Sequence, residues 1–379
     1  MIMDKSRTVL ISGGGIAGLT LACALRKADI DVDLVEAKPT LSDDGGIGLT
    51  IVGNALRALD SIDLARPILD QGVCADSIRL CTHDGKLMLE QPTIGPWGTG
   101  IPGHCSISRK NLHAVLARTA VERGARIRTG VRLASSSVVS DGLDAIFTDG
   151  STGHYVLCAA AEGLFSAARD RLFPGEQPSY SGQGSWRAFV RRPAGLNTSE
   201  IYLGGKYGVV GICPVTRDDA YLYIVESAPE NTFEDESRLH ITMRERLEGV
   251  YGGRIPALLE QLTDPGLVSY RPLTALLVPT PWYRGRTVLI GDAAHSNPPV
   301  LAQGAAMGIE DAVVLAEALR DHPLDVDEAL ARFMARRYGR ASQVVESSVQ
   351  LARWEVEHSK EADVPGVMGR VAKMLAEPI

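Results

Sequence analysis

The chain has 379 residues, of which 45% are hydrophobic and 22% are charged, and its net charge is −7. This length predicts two domains rather than one simple core, and the composition excludes a largely disordered protein. The acidic balance argues against a general nucleic-acid-binding surface and favours small-molecule chemistry.

The sequence has few signals for a membrane helix, a signal peptide, a disulfide framework or a metal site. No apolar run approaches the roughly 18 residues that a membrane helix needs, and no signal peptide precedes the first strand, so we expect a cytoplasmic protein with no membrane partner. The six cysteines lack the spacing of a disulfide framework or a zinc site. We therefore expect reduced thiols and no bound metal.

A glycine-rich turn near the N-terminus separates a predicted strand, residues 8–12, from an Ala- and Leu-rich helix, residues 19–27. A second predicted strand, residues 32–36, ends in an acid that can accept hydrogen bonds from ribose hydroxyls. This context favours a dinucleotide site over a purely structural turn, and the acid favours FAD or NAD over NADP. The residues expected to contact the dinucleotide are Gly13, Gly15, Ile16, Ala17, Gly18 and Glu36.

The following segments predict antiparallel β-structure interrupted by a helix. Residues 73–89 alternate weakly around an Asp-Gly hairpin turn, and residues 124–151 predict a β-meander. Residues 106–116 predict a capped amphipathic helix with Arg109 in its first turn. A cation is unfavourable there unless an anion lies nearby, although an ordinary surface arginine is the alternative.

Residues 179–270 change to short alternating strands and an acidic helix at residues 234–250, as expected for a separate substrate domain. Tyr221 and Tyr223 share one face by the period of two, and Tyr207 shares the parity of Cys213 on the neighbouring strand. Such a stripe can line an aromatic pocket, with Arg187 as a nearby cation, or it can be cross-strand packing.

The stretch from residue 286 to 311 combines a buried strand, an acid and a new helix. Residues 287–290 form an apolar run that delivers Asp292 to the carboxyl edge of a parallel sheet. Pro298 then imposes an extended segment, and Gly304 and Ala305 open a helix whose N-terminus favours negative charge. The alternative is an ordinary strand-loop-helix unit.

Helices are predicted at residues 315–319 and 326–351, and the tail is amphipathic but interrupted at residues 365–366.

Three of these segments together resemble the para-hydroxybenzoate hydroxylase-like flavoprotein monooxygenases. Besides the glycine turn, the family's Gly-Asp motif matches at residues 291–295, 298–299 and 303–304, with Ala302 in place of a glycine. The second fingerprint matches at residues 155–169, where Ala160 and Glu162 replace the usual glycine and aspartate. A glycine loop beginning at residue 45 is also similar.

The resemblance implies a role for each matching residue. It implies that Asp292 binds the flavin ribityl chain, that Arg109 contacts the dinucleotide, and that Glu162 helps to place the pyrophosphate and the nicotinamide cofactor. It also implies that the substrate ring lies beside Pro298, with Tyr207, Tyr221, Tyr223 and Arg187 as the opposing side chains. His295 is expected to be a packed loop histidine.

The resemblance further implies an α/β fold with a Rossmann-like FAD-binding domain, a sheet-containing substrate domain and C-terminal helices. The expected boundaries are 1–75, 100–175 and 270–325 for the FAD-binding domain, 76–99 and 176–269 for the substrate domain, and 326–379 for the helices. The implied activity is hydroxylation of a small aromatic or N-heteroaromatic compound through a C4a-hydroperoxyflavin, with FAD, NADH or NADPH, and oxygen. A monomer or homodimer is expected. An oxidoreductase or epoxidase acting on a non-aromatic substrate, or a flavin-binding scaffold without turnover, is the alternative.

Overall fold

The computed structural model describes residues 8–41, 48–93, 95, 100–230 and 234–379. The glycine loop expected from residue 45 lies partly outside these residues. The strands of the described part are β1 Val9–Ser12, β2 Val32–Glu36, β3 Gly48–Val52, β4 Val73–Ala75, β5 Ser77–Thr82, β6 Leu87–Pro92, β7 His104–Ser108, β8 Arg126–Thr129, β9 Leu133–Val139, β10 Gly142–Phe147, β11 Thr152–Tyr155, β12 Leu157–Ala160, β13 Ser179–Arg191, β14 Glu200–Gly205, β15 Gly208–Pro214, β16 Asp219–Ser227, β17 Val268–Leu277, β18 Tyr283–Arg284, β19 Thr287–Leu289 and β20 His295–Ser296.

The helices of the described part are α1 Ile16–Lys27, α2 Gly53–Asp60, α3 Ala65–Leu69, α4 Arg109–Glu122, α5 Ala167–Leu172, α6 Leu239–Leu247, α7 Ile255–Leu258, α8 Gly304–Asp321, α9 Val326–Val356 and α10 Val364–Ala376. Together with the strands, these helices confirm the α/β class expected from the sequence. No helix among the described residues is long and apolar enough to cross a membrane.

The first sheet has the strand order β18-β19-β12-β1-β2-β8, and every pair except β18 with β19 is parallel. β1 lies between β12 and β2, so the chain leaves β1 at a point where the strand order changes direction. Ligands of open α/β sheets bind at such a point, beside the carboxyl ends of the strands. This topology brings the ends of β1, β2, β12 and β19 to one edge, although they are far apart in sequence.

β8 corrects one expectation from the sequence. Residues 126–129 pair in parallel with β2 instead of joining the meander, which consists of β9, β10 and β11. A short alternating run has the same pattern in an edge strand of either sheet, and here the half-buried Ile127 packs on the core of the first sheet.

The largest sheet has the order β20-β17-β13-β16-β15-β14-β5-β6 and is mostly antiparallel. One face carries alternate residues such as Trp186, Leu222 and Ile224, which form a core with α6 and α7. The other face turns toward a small sheet with the strand order β3-β7-β4. The open side of Gly48 on β3 lies against Tyr221, and a Cβ on Gly48 would be 3.0 Å from that side chain. β17 of this sheet extends past residue 270. The domain boundaries expected from the sequence remain our proposal.

Several helix boundaries differ from the expected ones. Residues 106–108 end β7, and Ser108 then caps α4 by accepting a hydrogen bond from the Asn111 amide at 3.1 Å. The acidic helix is shorter than expected, since α6 begins at Leu239. Pro365 does not interrupt the tail, because it lies in the first turn of α10, where its missing N–H costs no helical hydrogen bond.

Candidate active site

The glycine turn after β1 is built by close backbone packing. Gly13 has φ +112°, and a Cβ there would lie 2.4 Å from the Ala161 carbonyl oxygen. A Cβ on Gly18 would lie 2.0 Å from the Gly13 carbonyl oxygen, so this position also admits only glycine. Gly15, by contrast, faces open space within 4 Å. The turn is therefore closed toward the protein and open on the side where Gly15 lies.

The helix that follows the turn offers free backbone donors to a ligand. α1 begins at Ile16 with no side-chain cap and no acidic residue in its first turn, and Ala17 lies in that turn. Uncapped N–H groups and the helix dipole favour an anion such as a pyrophosphate. These features and the open side of Gly15 fit the diphosphate of FAD.

Glu36 ends β2 beside this turn and is held in a defined orientation. Its carboxylate accepts hydrogen bonds from the Gly14 amide at 2.6 Å and from the Lys38 amide at 2.8 Å. The side chain remains half-buried rather than sealed in the core. A carboxylate fixed in this way can accept a further hydrogen bond from a ribose hydroxyl, as expected from the sequence.

Asp292 follows β19 at the same edge of the sheet. Its side chain is exposed to solvent. Surrounding protein nevertheless raises the pKa of its carboxyl group by desolvation, while His295 and Arg109 oppose the rise and Asp311 adds to it. A group that contacts water yet is desolvated by protein on most sides lies at the floor of a cleft. Arg109, the first residue of α4, thus shares this cleft with Asp292.

A buried ionic cluster lies directly beneath the Asp292 loop, and the sequence did not reveal it. Asp311 accepts hydrogen bonds from the Gly291 amide at 2.8 Å, from His295 Nε2 at 2.7 Å and from Arg337 Nε at 2.8 Å. Burial alone would raise the pKa of Asp311, but His295 and Arg337 together hold it at about 2. His295 is a packed histidine, with its ring 4.9 Å from that of Trp282.

The same cluster reaches the C-terminal helix. Arg337 and Arg340 of α9 both contact Glu310, with Arg340 Nε donating at 2.9 Å, and Arg340 also donates to the Met374 carbonyl oxygen at 2.7 Å. Arg57 of α2 donates to the Leu375 carbonyl oxygen at 2.9 Å. The sequence signal for this arrangement is a Glu-Asp pair within the otherwise apolar residues 304–316, because the arginine partners come from a different helix.

The N-terminus of α8 forms the other side of the cleft. Gly304 and Ala305 are half-buried, the helix has no side-chain cap or early acid, and Gly304 faces open space within 4 Å. Pro298 is buried and starts the short turn that leads to this helix. The arrangement fits the negative charge of a reduced flavin ring.

Ala302 adopts a left-handed conformation, with φ 53° and ψ 31°. An L-residue in this region is disfavoured by about 1–2 kcal/mol, whereas glycine is not. We expect Ala302→Gly to raise the free energy of unfolding by about 1 kcal/mol, measured by urea denaturation. Ala331→Gly, at an exposed helical position of α9, should lower it by a similar amount. Equal losses in both variants would contradict the strain at Ala302.

Glu162 replaces the aspartate of the second fingerprint, and its carboxylate already accepts hydrogen bonds from protein groups. Its carboxylate accepts from Ser12 Oγ at 2.6 Å, from Ser166 Oγ at 2.9 Å and from the Ala168 amide at 2.8 Å. These bonds join the end of β1 to the start of α5. Glu162 therefore shapes the loop beside the glycine turn, and a direct contact with a cofactor remains a proposal.

Tyr221 and Tyr223 lie together on the face of the large sheet that turns toward the cleft. Their rings stack at 5.2 Å between centroids and 28° between planes. Gly211 on β15 makes room for the second ring, because a Cβ there would lie 2.1 Å from Tyr223 Cζ. Burial raises the pKa of both hydroxyls above the usual value of 10.0, so both are neutral donors near neutral pH.

Tyr207 does not join this pair, which corrects the parity argument made from the sequence. It lies in the turn between β14 and β15 and packs on the opposite face. There the Arg246 guanidinium is 5.8 Å from the Tyr207 ring and 4.4 Å from the Trp186 ring. β15, the strand that carries Cys213, begins only at Gly208, so its period of two does not extend to residue 207.

Arg187 lies on the same face as the stacked tyrosines, directly opposite Tyr223 in the β13–β16 register. Its side chain is half-buried, and its Nε atom is buried without a hydrogen-bond partner. The guanidinium forms no hydrogen bond or ion pair with any described residue, although it lies close enough to lower the pKa of Tyr221. The structure thus combines a neutral aromatic pair with an uncompensated cation.

The cofactor cleft and this aromatic face are connected through β3 and α4. Gly48 contacts Tyr221 and pairs with Ser108, which immediately precedes Arg109. The charge of Arg109 in turn lowers the pKa of Asp292. The small sheet therefore adjoins both the cleft at Asp292 and the face that carries Tyr221, whereas Tyr207 lies on the opposite face.

Comparison with known proteins gives independent evidence on the family of this chain. The model of the FAD binding domain family matches residues 6–348. The chain is 32% identical to 2-heptyl-3-hydroxy-4(1H)-quinolone synthase of Pseudomonas aeruginosa over 357 residues, which cover 92% of this chain and 90% of that protein. It is 31% identical to aurachin C monooxygenase/isomerase of Stigmatella aurantiaca, with 93% and 91% covered.

Solved structures share the fold. The crystal structure of Klebsiella pneumoniae HpxO complexed with FAD and uric acid matches with a TM-score of 0.82 at 23% identity, covering 98% of this chain and 93% of that chain. The three fingerprints, the topology and these similarities lead to one assignment. The chain belongs to the para-hydroxybenzoate hydroxylase-like family of single-component FAD-dependent monooxygenases, which use NAD(P)H and molecular oxygen.

Proposed function

We propose that the protein hydroxylates a small aromatic or N-heteroaromatic compound that carries a negative charge, as a carboxylate or as a ring oxyanion. The observation that carries this proposal is Arg187, a half-buried guanidinium without a partner among the described residues, beside two stacked tyrosines. A desolvated cation without a counter-charge is unfavourable, so an anion that enters the region gains a charge-assisted hydrogen bond. The hydroxyquinolone synthase among the relatives supports an N-heteroaromatic ring.

The residues around the cleft suit the requirements of this reaction. When bound, FAD would supply the redox chemistry, namely acceptance of hydride from NAD(P)H and activation of oxygen for transfer. Gly15, Glu36 and Asp292 would hold its dinucleotide and ribityl portions, and the N-terminus of α8 would face its ring. Tyr221 and Tyr223, as neutral hydroxyls, would donate hydrogen bonds to a substrate oxygen and favour its deprotonated form. Pro298 would limit the access of water from the other side.

The Arg187→Met variant tests the charge requirement of the proposal. With a panel of hydroxybenzoates and hydroxypyridine carboxylates, each paired with its neutral amide, we expect the wild type to oxidise NAD(P)H faster with the acids. Arg187→Met should raise KM for the acids by about 10- to 100-fold, because a charged hydrogen bond contributes roughly 1.5–3 kcal/mol. KM for the neutral amides should change little.

Arg191→Met provides the matched control, because Arg191 is exposed at the end of the same strand. It should leave KM unchanged for both members of each pair. If the wild type prefers the amides, or if Arg187→Met weakens acids and amides equally, the substrate is not selected by a carboxylate.

The tyrosine pair predicts a change in coupling. Replacing Tyr221 or Tyr223 with phenylalanine removes a donor that positions the ring, while the stacked packing is retained. We expect roughly two- to tenfold more hydrogen peroxide per NAD(P)H consumed, with unchanged FAD content, since one hydrogen bond contributes about 0.5–1.5 kcal/mol. Tyr207→Phe, on the opposite face, should behave as the wild type. Wild-type coupling in both variants would show that the pair is core packing.

The proposal includes a monomer or homodimer as the solution state. Light scattering of the FAD-loaded protein measures this directly, and a larger assembly would exclude both forms.

A further inference from the structure

Two cysteines outside the cleft lie directly opposite each other on neighbouring strands. Cys74 on β4 pairs with Cys105 on β7 in the antiparallel register. Directly opposite residues have Cβ atoms about 4.5–5.5 Å apart, with both side chains on the same face. A disulfide needs a separation of about 3.5–4.5 Å, so a small approach of the two strands is sufficient to join them.

The environments of the two thiols differ in a way that assigns them separate roles. Cys74 is exposed and Cys105 is buried, with 0% of its surface accessible. Gly72 makes room for the buried thiol, since a Cβ there would lie 2.4 Å from Cys105 Sγ. An oxidant in solution can therefore reach Cys74, and Cys105 is the protected partner beside it.

Charge and hydrogen bonding favour the thiolate of Cys74. The neighbouring Cys105 thiol is the main cause that lowers the pKa of Cys74. Arg66 also lowers this pKa, while burial, Asp70 and Asp76 oppose the change. Burial raises the pKa of the remaining cysteines, which all lie in the described part of the chain: Cys23, Cys81, Cys158 and Cys213. Cys74 is therefore the reactive thiol of the six.

We propose that Cys74 and Cys105 are a peroxide-responsive pair that forms a reversible intramolecular disulfide. The Cys74 thiolate attacks hydrogen peroxide, the O–O bond breaks, and Cys74 becomes a sulfenic acid with release of hydroxide. The Cys105 sulfur then attacks Cys74 Sγ, the S–O bond breaks, and the Cys105 proton leaves with the oxygen as water. Two thiol sulfurs are oxidised and one peroxide is reduced. Uncoupled turnover of a flavin monooxygenase releases this oxidant at the protein itself.

The position of the pair links it to the cofactor side of the molecule. β7 continues from Cys105 to Ser108, which caps α4, and Arg109 follows. β7 also pairs with β3, whose Gly48 contacts Tyr221. A covalent link between β4 and β7 would therefore be formed within the small sheet that adjoins both the dinucleotide cleft and the aromatic face.

Mass spectrometry of the FAD-loaded protein tests the proposal. After treatment with hydrogen peroxide, acid quenching and alkylation under denaturing conditions, we expect the intact wild type to lose two hydrogen atoms. Digestion should yield one cross-linked peptide pair containing residues 74 and 105, which dithiothreitol separates. Cys74→Ser should retain all of its thiols, and Cys105→Ser should accumulate a sulfenic acid at residue 74 that dimedone traps. Cys81→Ser, the control, should form the same disulfide as the wild type.

Three outcomes would overturn the proposal. In the first, both thiols of the peroxide-treated wild type remain open to alkylation. In the second, a disulfide joins a different pair. In the third, dimedone traps Cys74 as readily in the wild type as in Cys105→Ser, which would show that Cys105 does not resolve the sulfenic acid. Because the wild-type result is decisive by itself, the proposal stays testable even if a variant at the buried position fails to fold.

Discussion

Replacing Arg337 with leucine is expected to lower the free energy of unfolding by about 3–5 kcal/mol, the usual effect of removing one partner from a buried ion pair. Arg337 is fully buried and contacts both Glu310 and Asp311. Without it, two carboxylates would remain in the core with less positive charge to offset their desolvation. Urea denaturation of the apoprotein measures the effect directly.

Arg332→Leu is the matched control for this prediction. Arg332 lies on the same helix but is 65% exposed, and it pairs with Glu328 of its own helix. Such exposed pairs contribute about 0–1 kcal/mol. Equal losses of stability in the two variants would show that the buried cluster is not a stabilising unit.

The same cluster makes the free energy of unfolding depend on pH in the acidic range. The pKa of Asp311 is about 2 in the folded protein, against an ordinary value of 3.8. A lowered folded-state pKa means that the unfolded chain binds the proton more readily, so the contribution of Asp311 is complete above about pH 4 and is lost as the pH falls toward 2. Arg337→Leu should flatten this part of the stability profile, whereas Arg332→Leu should not.

Asp292→Ala is expected to weaken FAD binding by about 10- to 100-fold, because a charged hydrogen bond contributes roughly 1.5–3 kcal/mol. The apoprotein should become no less stable. Desolvation raises the pKa of Asp292, and the nearby Asp311 raises it further, so the ionised group is unfavourable in the fold near neutral pH. Removing it relieves that cost and deletes only the acceptor for the ligand.

Fluorimetric FAD titration and thermal melting of the apoprotein separate these two effects. Asp60→Ala, at an exposed position of α2, should change neither quantity. A variant at Asp292 that loses stability at unchanged FAD affinity would identify the residue as structural instead.

The features that sequence analysis predicted correctly are those that depend on neighbours in the chain. The turn at Gly13 and Gly18 requires glycine for local steric reasons, and the strand-turn-helix order around it places the open side at Gly15. The acid that follows β19 is likewise set by a short apolar run. Such signals persist in any chain that folds this way, and the similarity to known flavoproteins confirmed the class that they indicate.

The features that the sequence did not disclose depend on contacts between distant segments. Arg337 meets Asp311 only because α9 packs on α8, and the pairing of Cys74 with Cys105 requires the β4–β7 register. The error at Tyr207 has a related cause, since parity identifies a shared face only while a strand continues. The role of Glu162, which replaces an aspartate, likewise depends on distant contacts, because its carboxylate accepts hydrogen bonds from Ser12 and from the Ala168 amide.

The order of strands in the first sheet also has a consequence for how the polypeptide is made. β12 is fully buried, and its outer edge is paired only with β19, which the ribosome synthesises much later. Until residues 287–289 emerge, the apolar residues 157–160 expose unpaired backbone groups, the kind of edge that promotes aggregation. β13, β16 and β17, which adjoin in the large sheet, are complete earlier. The outer edge of β12 therefore stays unpaired while the residues between β12 and β19 are translated. The dinucleotide cleft is complete only after β19 and the loop that follows it have been synthesised.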